Sequence, residues 1–225
     1  MGETEARWQD QVYDLLRRHD VTQFAYVPDA GHTILIDRSL ADPGVHSVAL
    51  TTEEEGVALL AGADLGGGRG VLLMQSSGVG NCINMLSLIK GGGFPFLTLV
   101  SMRGDFGEGN PWQFPMGQAT QPVLEAMGVI CLRAETPQEA LSAVSAALTM
   151  AFQAGNAVAV LFKYSAIASE SPGRCSIASI YTLKCQLWST ETSPVSAPRK
   201  VRLRFAAESC GLANVSKNVF TMTRK

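Results

Sequence analysis

Two hydrophobic patterns alternate along the first 165 residues. Segments with apolar residues three and four apart, the spacing of one helical face, alternate with short runs that are apolar nearly throughout. Residues 4–19 set the first pattern, with Trp8, Val12, Leu15 and Leu16 on one side of a predicted helix. QFAYVPD (23–29) predicts a short strand entering a turn, and GHTILIDRSL (31–40) the helix after it. HSVAL (46–50) is a strand, followed by a helix that opens on Glu53, Glu54 and Glu55 and is stopped by the glycines of GADLGGGRG. GVLLMQ (70–75) reads as a buried strand, SSGVGN (76–81) as a turn and CINMLSLIK (82–90) as a helix. The strand FPFLTLVSM (94–102) leads into a long loop, 103–121, then a helix from Pro122 and the strand VICLRA (129–134). Thr136, Pro137, Glu139 and Gly155 are the cap, first-turn proline, capping glutamate and stop of one more helix, and NAVAVLFK (156–163) closes the series.

Apolar strands each followed by a helix make an α/β fold: a doubly wound parallel sheet with helices on both faces. Ligands of such sheets bind beyond the carboxyl ends of the strands. Three loops leave strands there, 27–32, 51–55 and 75–81, and the loop 103–121 is too long for a mere connector. The three adjacent glutamates sit at one of these ends. A capping box between Thr52 and Glu55, together with the positive end of the helix dipole, accounts for Glu55 and for Glu54. It leaves Glu53, at the end of the preceding strand, without a reason.

Composition adds limits. With 225 residues, 46% hydrophobic and 17% charged, the chain can bury a sizeable core. No apolar run reaches the ~18 residues of a membrane helix, and the charged, amphipathic N-terminus lacks the apolar stretch of a signal peptide. Five cysteines without a CxxC pair fit a reducing compartment, so a cytoplasmic protein without membrane attachment is expected. The formal charge of −2 conceals an asymmetry: residues 1–165 hold 9 basic and 17 acidic side chains, residues 166–225 hold 9 basic and 3 acidic. Residues 166–225 also lack hydrophobic periodicity, which predicts a domain over 1–165 and an irregular, basic, disordered or otherwise atypical tail. That tail is either an extension peculiar to this lineage or the product of a shifted reading frame. It carries no nucleic-acid-binding motif, and no nucleic-acid partner is expected.

Several chemistries lack their residues. Gly78 and Gly80 would need a third glycine where Ile83 stands to make a dinucleotide fingerprint, so a tight turn or close backbone approach is their plainer use. There is no Walker sequence, no HExxH and no GxSxG, and His19, His32 and His46 are too dispersed for a metal cluster.

Taken together, Glu53 with Gly62, MQSSGVGNCIN, VSMRGDFGEGN and QFPMGQATQPVLEAMG resemble the pyrimidine-binding domain of thiamine-diphosphate-dependent 2-oxoacid decarboxylases. The likeness runs from about residue 8 to 165. Within that family it points first to the alpha subunit of sulfopyruvate decarboxylase and next to phosphonopyruvate decarboxylase. The resemblance implies thiamine diphosphate as cofactor and Glu53 as the catalytic carboxyl group that shares a proton with N1′ of its aminopyrimidine. It implies further that Val79, in the Gly78-Val79-Gly80 turn, packs on the pyrimidine. Ser76 and Ser77 would supply polar contacts, and Pro28 and Asp29 would approach the cofactor from another strand. His32 and Gln113 would point to the substrate, unless they are simply a helix-start residue and an exposed loop residue. The family holds the diphosphate and Mg²⁺ in a second domain through GDG and a later asparagine. Here Gly104-Asp105-Phe106-Gly107 lacks that partner, so a beta subunit is implied, in an α₂β₂ or larger assembly. The implied reaction is decarboxylation of an anionic 2-oxoacid, 3-sulfopyruvate to sulfoacetaldehyde and CO₂. Phosphonopyruvate, another 2-oxoacid or a noncatalytic binding or regulatory subunit are the alternatives.

Overall fold

A computed structural model of the chain describes residues 7–105 and 108–163; the tail expected over 166–225 lies outside the described residues. In chain order the elements are α1 (Trp8–Arg18), β1 (Val21–Tyr26), a 3₁₀ turn (Ala30–His32), α2 (Thr33–Ala41), β2 (His46–Ala49), α3 (Glu53–Leu65) and β3 (Arg69–Gln75). They continue with α4 (Ser76–Cys82), α5 (Leu86–Gly92), β4 (Phe96–Ser101), a 3₁₀ turn (Pro111–Gln113), α6 (Phe114–Ala126), β5 (Ile130–Ala134), α7 (Pro137–Phe152) and β6 (Ala157–Phe162). The six strands form one sheet in the order β2-β1-β3-β4-β6-β5, every pair parallel. Among the described residues no helix is long and apolar enough to cross a membrane.

The period-two alternation of the central strands divides the core between the two faces. Val71 and Leu73 of β3 join Val12 and Leu16 of α1, Leu35 of α2 and Val144 and Leu148 of α7 on one side. Leu72 and Met74 join Val57 and Leu60 of α3, Val79 and Cys82 of α4, Leu86 of α5 and Leu124 of α6 on the other. Each of these large aliphatic side chains contributes about 1.5–3 kcal/mol by burial, which is why the central strands are apolar nearly throughout. The edge strand β2 is short and largely exposed.

Chain order reverses at β1, which has β2 on one side and β3 on the other. The carboxyl ends of β1 and β3 therefore flank a topological switch point, the usual ligand crevice of an open parallel sheet. Register brings polar groups together there: Gln75 at the end of β3 pairs with Ser101 at the end of β4.

Three local expectations need correction. SSGVGN is helical rather than a turn, forming most of α4. Neither Gly78 nor Gly80 has a positive φ; the left-handed glycines are Gly67, Gly93, Gly104, Gly128 and Gly155. The loop after β4 is shorter than expected, because α6 begins at Phe114 and continues through Pro122. Pro115 costs nothing in the first turn, where its missing N–H would have had no intrahelical partner, and the helix tolerates Pro122 further on. At α3, Thr52 makes no capping hydrogen bond with its side chain, while Glu55 Oε2 accepts from the Thr51 N–H at 2.9 Å. The α7 cap forms as expected, with Thr136 Oγ1 accepting from the Glu139 N–H at 3.2 Å.

Candidate active site at the strand ends

After β1 the chain passes over the sheet end through Pro28 and Asp29. Asp29 gathers the polar groups around it: Ser101 Oγ donates to Oδ2 at 2.5 Å, the Gly31 N–H to the same oxygen at 3.2 Å, and Gln75 Nε2 to Oδ1 at 3.2 Å. Ser77 Oγ extends the chain by donating to Gln75 Oε1 at 2.8 Å. Hydrogen bonds to an ionised acceptor are the stronger kind, so this network holds the ends of β1, β3 and β4 in fixed relation. It also requires Gly31, since a Cβ there would lie 2.7 Å from Ser101 Cβ. Pro28 and Asp29 are thus placed at the switch point, with Asp29 committed to protein donors.

Glu53 opens α3 and turns inward; only 8% of its surface is exposed. Its carboxyl group lies against α4. Asn81 Nδ2 donates to Oε2 at 2.8 Å, and a Cβ on Gly78 would come within 2.4 Å of both Cδ and Oε1. The absence of a side chain at Gly78 is what gives the carboxyl group its space. Among the described residues Oε1 takes no hydrogen bond, yet no buried polar side-chain atom is left without a partner. Oε1 is therefore the oxygen that keeps access to the outside. The arrangement is a nearly buried carboxyl group, held by one oxygen and offered by the other, at the crevice of the sheet.

The helical state of residues 76–82 separates the residues of the motif. Val79 and Cys82, three apart, share the inner face of α4 and are fully buried in the core. Val79, which the resemblance places against the pyrimidine, packs α4 on the sheet in this structure. Gly78 and Asn81, also three apart, form the adjoining stripe that faces Glu53. Asn81 did not emerge from the sequence as a site residue, and the signal that would have found it is this spacing, which exists only once the segment is read as a helix. Ser77 is exposed, Gly80 half-buried and adjacent to Met116. Ser76 is buried, its Oγ accepting from the Arg103 N–H at 3.0 Å, so it ties α4 to the loop after β4.

That loop is organised by Glu108. Its carboxylate takes two hydrogen bonds from the Arg103 guanidinium, at 2.6 and 3.0 Å, and one from the Asn110 N–H at 3.0 Å. The Arg103 bonds hold Glu108 down at about 2. Behind it, α6 approaches closely: a Cβ on Gly117 would lie 2.1 Å from the Arg103 carbonyl oxygen and 2.7 Å from Gly104 Cα. Gln113 ends the 3₁₀ turn, with its carbonyl against Gly104; its side chain has no bond to the Glu53 group. His32 is enclosed, 1% exposed, with Nε2 3.2 Å from the Met74 carbonyl oxygen. Burial pushes its ring below the ordinary histidine value. His32 lies beneath the strand ends, with a backbone carbonyl as its partner. Among the described residues no group of three or more His, Cys, Asp or Glu side chains is arranged to hold a metal ion.

Comparison with known proteins covers most of this body. No protein-family model matches the chain. Sulfopyruvate decarboxylase subunit alpha of Methanococcus maripaludis is 35% identical over 153 residues, 68% of this chain and 92% of the relative. Phosphonopyruvate decarboxylase of Streptomyces viridochromogenes is 39% identical over 107 residues, 47% of this chain but only 27% of that one. The solved structure of the thiamine diphosphate-dependent 4-hydroxybenzoylformate decarboxylase of Rhodococcus jostii superposes with a TM-score of 0.56 at 17% identity, covering 75% of this chain and 32% of that one. The last is a likeness of fold.

Proposed function

The chain belongs to the family of sulfopyruvate decarboxylase alpha subunits, and from that premise we propose that residues 1–165 are the pyrimidine-binding subunit of a thiamine-diphosphate-dependent enzyme converting 3-sulfopyruvate to sulfoacetaldehyde and CO₂. The observation that carries the reading is Glu53, a nearly buried carboxyl group at the sheet's switch point with Oε2 held by Asn81 and Oε1 without a hydrogen bond among the described residues. This donor set fits an aminopyrimidine ring, a flat group with few polar atoms that needs one carboxyl partner in a largely dry crevice. Bound there, thiamine diphosphate would supply the nucleophilic carbon and the electron sink for loss of CO₂. The chain's own part is at Glu53 Oε1, which holds a proton and exchanges it with the ligand across one hydrogen bond. General acid–base help of this kind typically contributes on the order of 10²- to 10⁴-fold.

The diphosphate and Mg²⁺ are assigned to a beta subunit. The relative is by name a subunit alpha, and the described residues hold no metal-binding group. Hard cations and phosphates call for several oxygen ligands. The assembly would be α₂β₂ or larger, with the cofactor between the chains, in the cytoplasm. Phosphonopyruvate is the second substrate to consider, since a phosphonopyruvate decarboxylase matches 107 residues of the chain. The longer match, to the sulfopyruvate enzyme, favours the sulfonate.

The test is reconstitution with the beta subunit and assay of CO₂ release from a panel of 2-oxoacids. The expected result is preferential turnover of 3-sulfopyruvate by the pair, silence from the single chain, and a loss of at least about 10²-fold in Glu53→Gln. Decarboxylation by the single chain with added thiamine diphosphate and Mg²⁺ would overturn the divided site. Near-normal turnover in Glu53→Gln would overturn the role of Glu53.

A further inference from the structure

We propose that Asn81 is a positioning residue that fixes which oxygen of Glu53 faces the ligand. The inference rests on the reading of Glu53 given above. Glu53 and Asn81 lie on different helices, α3 and α4, and meet through a single hydrogen bond, Nδ2 to Oε2 at 2.8 Å. A carboxyl group on a flexible glutamate side chain can rotate, and its two oxygens are chemically equivalent until something distinguishes them. Two features do so here. Gly78 gives the carboxyl group a slot closed at the distance of a Cβ, which limits where the group lies. The Asn81 amide then binds one oxygen, which limits how it is turned.

The amide fits this task better than a charged group would. Its N–H donor binds one oxygen without competing for the proton, because an amide does not titrate. It also leaves the lone pairs of Oε1 unoccupied, so the proton that Glu53 exchanges is carried on Oε1. Asn81 itself is exposed, and the described residues give its side chain no other hydrogen bond. An exposed asparagine with one bond, directed at a nearly buried carboxylate, has little role in holding up the fold and a specific role in orienting its neighbour.

Asn81→Leu and Asn81→Asp separate orientation from shape. The readout is thiamine binding to the full chain, followed by ligand-observed NMR titration. It depends on neither turnover nor the diphosphate site. Leucine removes the donor, and the loss expected is roughly 3- to 10-fold in affinity. Aspartate has nearly the shape of asparagine but places a second carboxylate against Glu53, so it should bind thiamine more weakly than the leucine variant. A position that mattered only for shape would tolerate aspartate best. In a Glu53→Ala background the Asn81→Leu loss should shrink to less than about 2-fold, since the amide then has nothing to orient. Melting temperatures of both variants should stay near that of the unaltered chain.

The proposal is overturned if Asn81→Asp binds like the unaltered chain, or if the Asn81→Leu loss persists in full beside Glu53→Ala. It is overturned alone if Glu53→Ala weakens thiamine while both Asn81 variants bind normally. If the unaltered chain does not bind thiamine, or Glu53→Ala binds it unchanged, the reading of Glu53 itself falls, and the positioning role with it.

Discussion

Gly78→Ala asks whether the placement of the Glu53 carboxyl group matters apart from its presence. The added Cβ would stand 2.4 Å from Glu53 Cδ and Oε1 and 2.5 Å from Cγ. Ordinary contact between such atoms is about 3.5–4.0 Å, so the glutamate must withdraw by about 1 Å or more. The backbone itself raises no objection, since Gly78 is helical with an ordinary φ. Alanine favours an interior helical position over glycine by about 0.8–1.0 kcal/mol. Overpacking costs about 1–3 kcal/mol, so the net loss of stability is about 0–2 kcal/mol. For a chain of this size that is a fall in Tm of no more than about 8 °C. A misplacement of 1 Å in a reacting group can cost about 10²-fold in rate, equivalent to about 2.7 kcal/mol. Activity should therefore fall well beyond what stability explains. The assay pairs thermal unfolding of the variant with decarboxylation by the complex at a temperature where the variant is fully folded. A folded Gly78→Ala enzyme with kcat/KM within twofold of the unaltered one would refute the reasoning.

The remaining predictions concern the surroundings. Glu54→Gln should leave turnover nearly unchanged and cost at most about 0.3–1 kcal/mol, because Glu54 is exposed and meets only the positive end of the α3 dipole; denaturant unfolding and the decarboxylation assay check both halves. Gly117→Ala should destabilise by about 1–3 kcal/mol despite the better helix former, because its Cβ meets the backbone of Arg103 and Gly104, which has no side-chain freedom to yield. Glu108 is held down at about 2 by Arg103, from an ordinary value of 4.5. Its stabilising contribution is thus complete above the unfolded value and lost as pH falls through the folded one. The stability difference between the unaltered chain and Glu108→Gln should be constant above about pH 4.5 and shrink between there and pH 2, as followed by urea unfolding across that range.

Much of this architecture is readable before any coordinates, for a physical reason. A strand covered on both faces must be apolar nearly throughout, and runs such as GVLLMQ and NAVAVLFK announce themselves. Thr136, Pro137 and Glu139 likewise state where α7 begins, because caps are local chemistry. The errors fall where glycine and proline have non-local reasons. Gly78 falls in an expected turn and Gly117 in an expected loop, yet each sits in a helix where another element needs the room: the Glu53 carboxyl group in one case, the backbone of Arg103 in the other. Only tertiary contact reveals that. The same error hid Asn81, since which residues share a face depends on the period assigned. His32 shows the converse limit. Its residue type permits chemistry, but its enclosure beneath the strand ends with a backbone carbonyl as partner is set by tertiary contact and not by any local pattern.

The run of three glutamates shows how one local pattern is divided by geometry. Successive residues of an α-helix point about 100° apart, so three adjacent carboxylates at a helix start cannot share one environment. Glu55 turns back to the Thr51 N–H, and Glu54 faces solvent. Glu53 alone is directed into α4, where the cost of burying a carboxylate is offset by the Asn81 amide and the space at Gly78. The dipole of α3 favours all three charges equally and so cannot select among them. What selects is the neighbouring helix: moving Glu53 one position along α3 would rotate its carboxyl group out of the slot. A carboxyl group accepted into a nearly closed site against its own solvation, with one oxygen uncommitted among the described residues, is the arrangement that the role proposed for Glu53 requires.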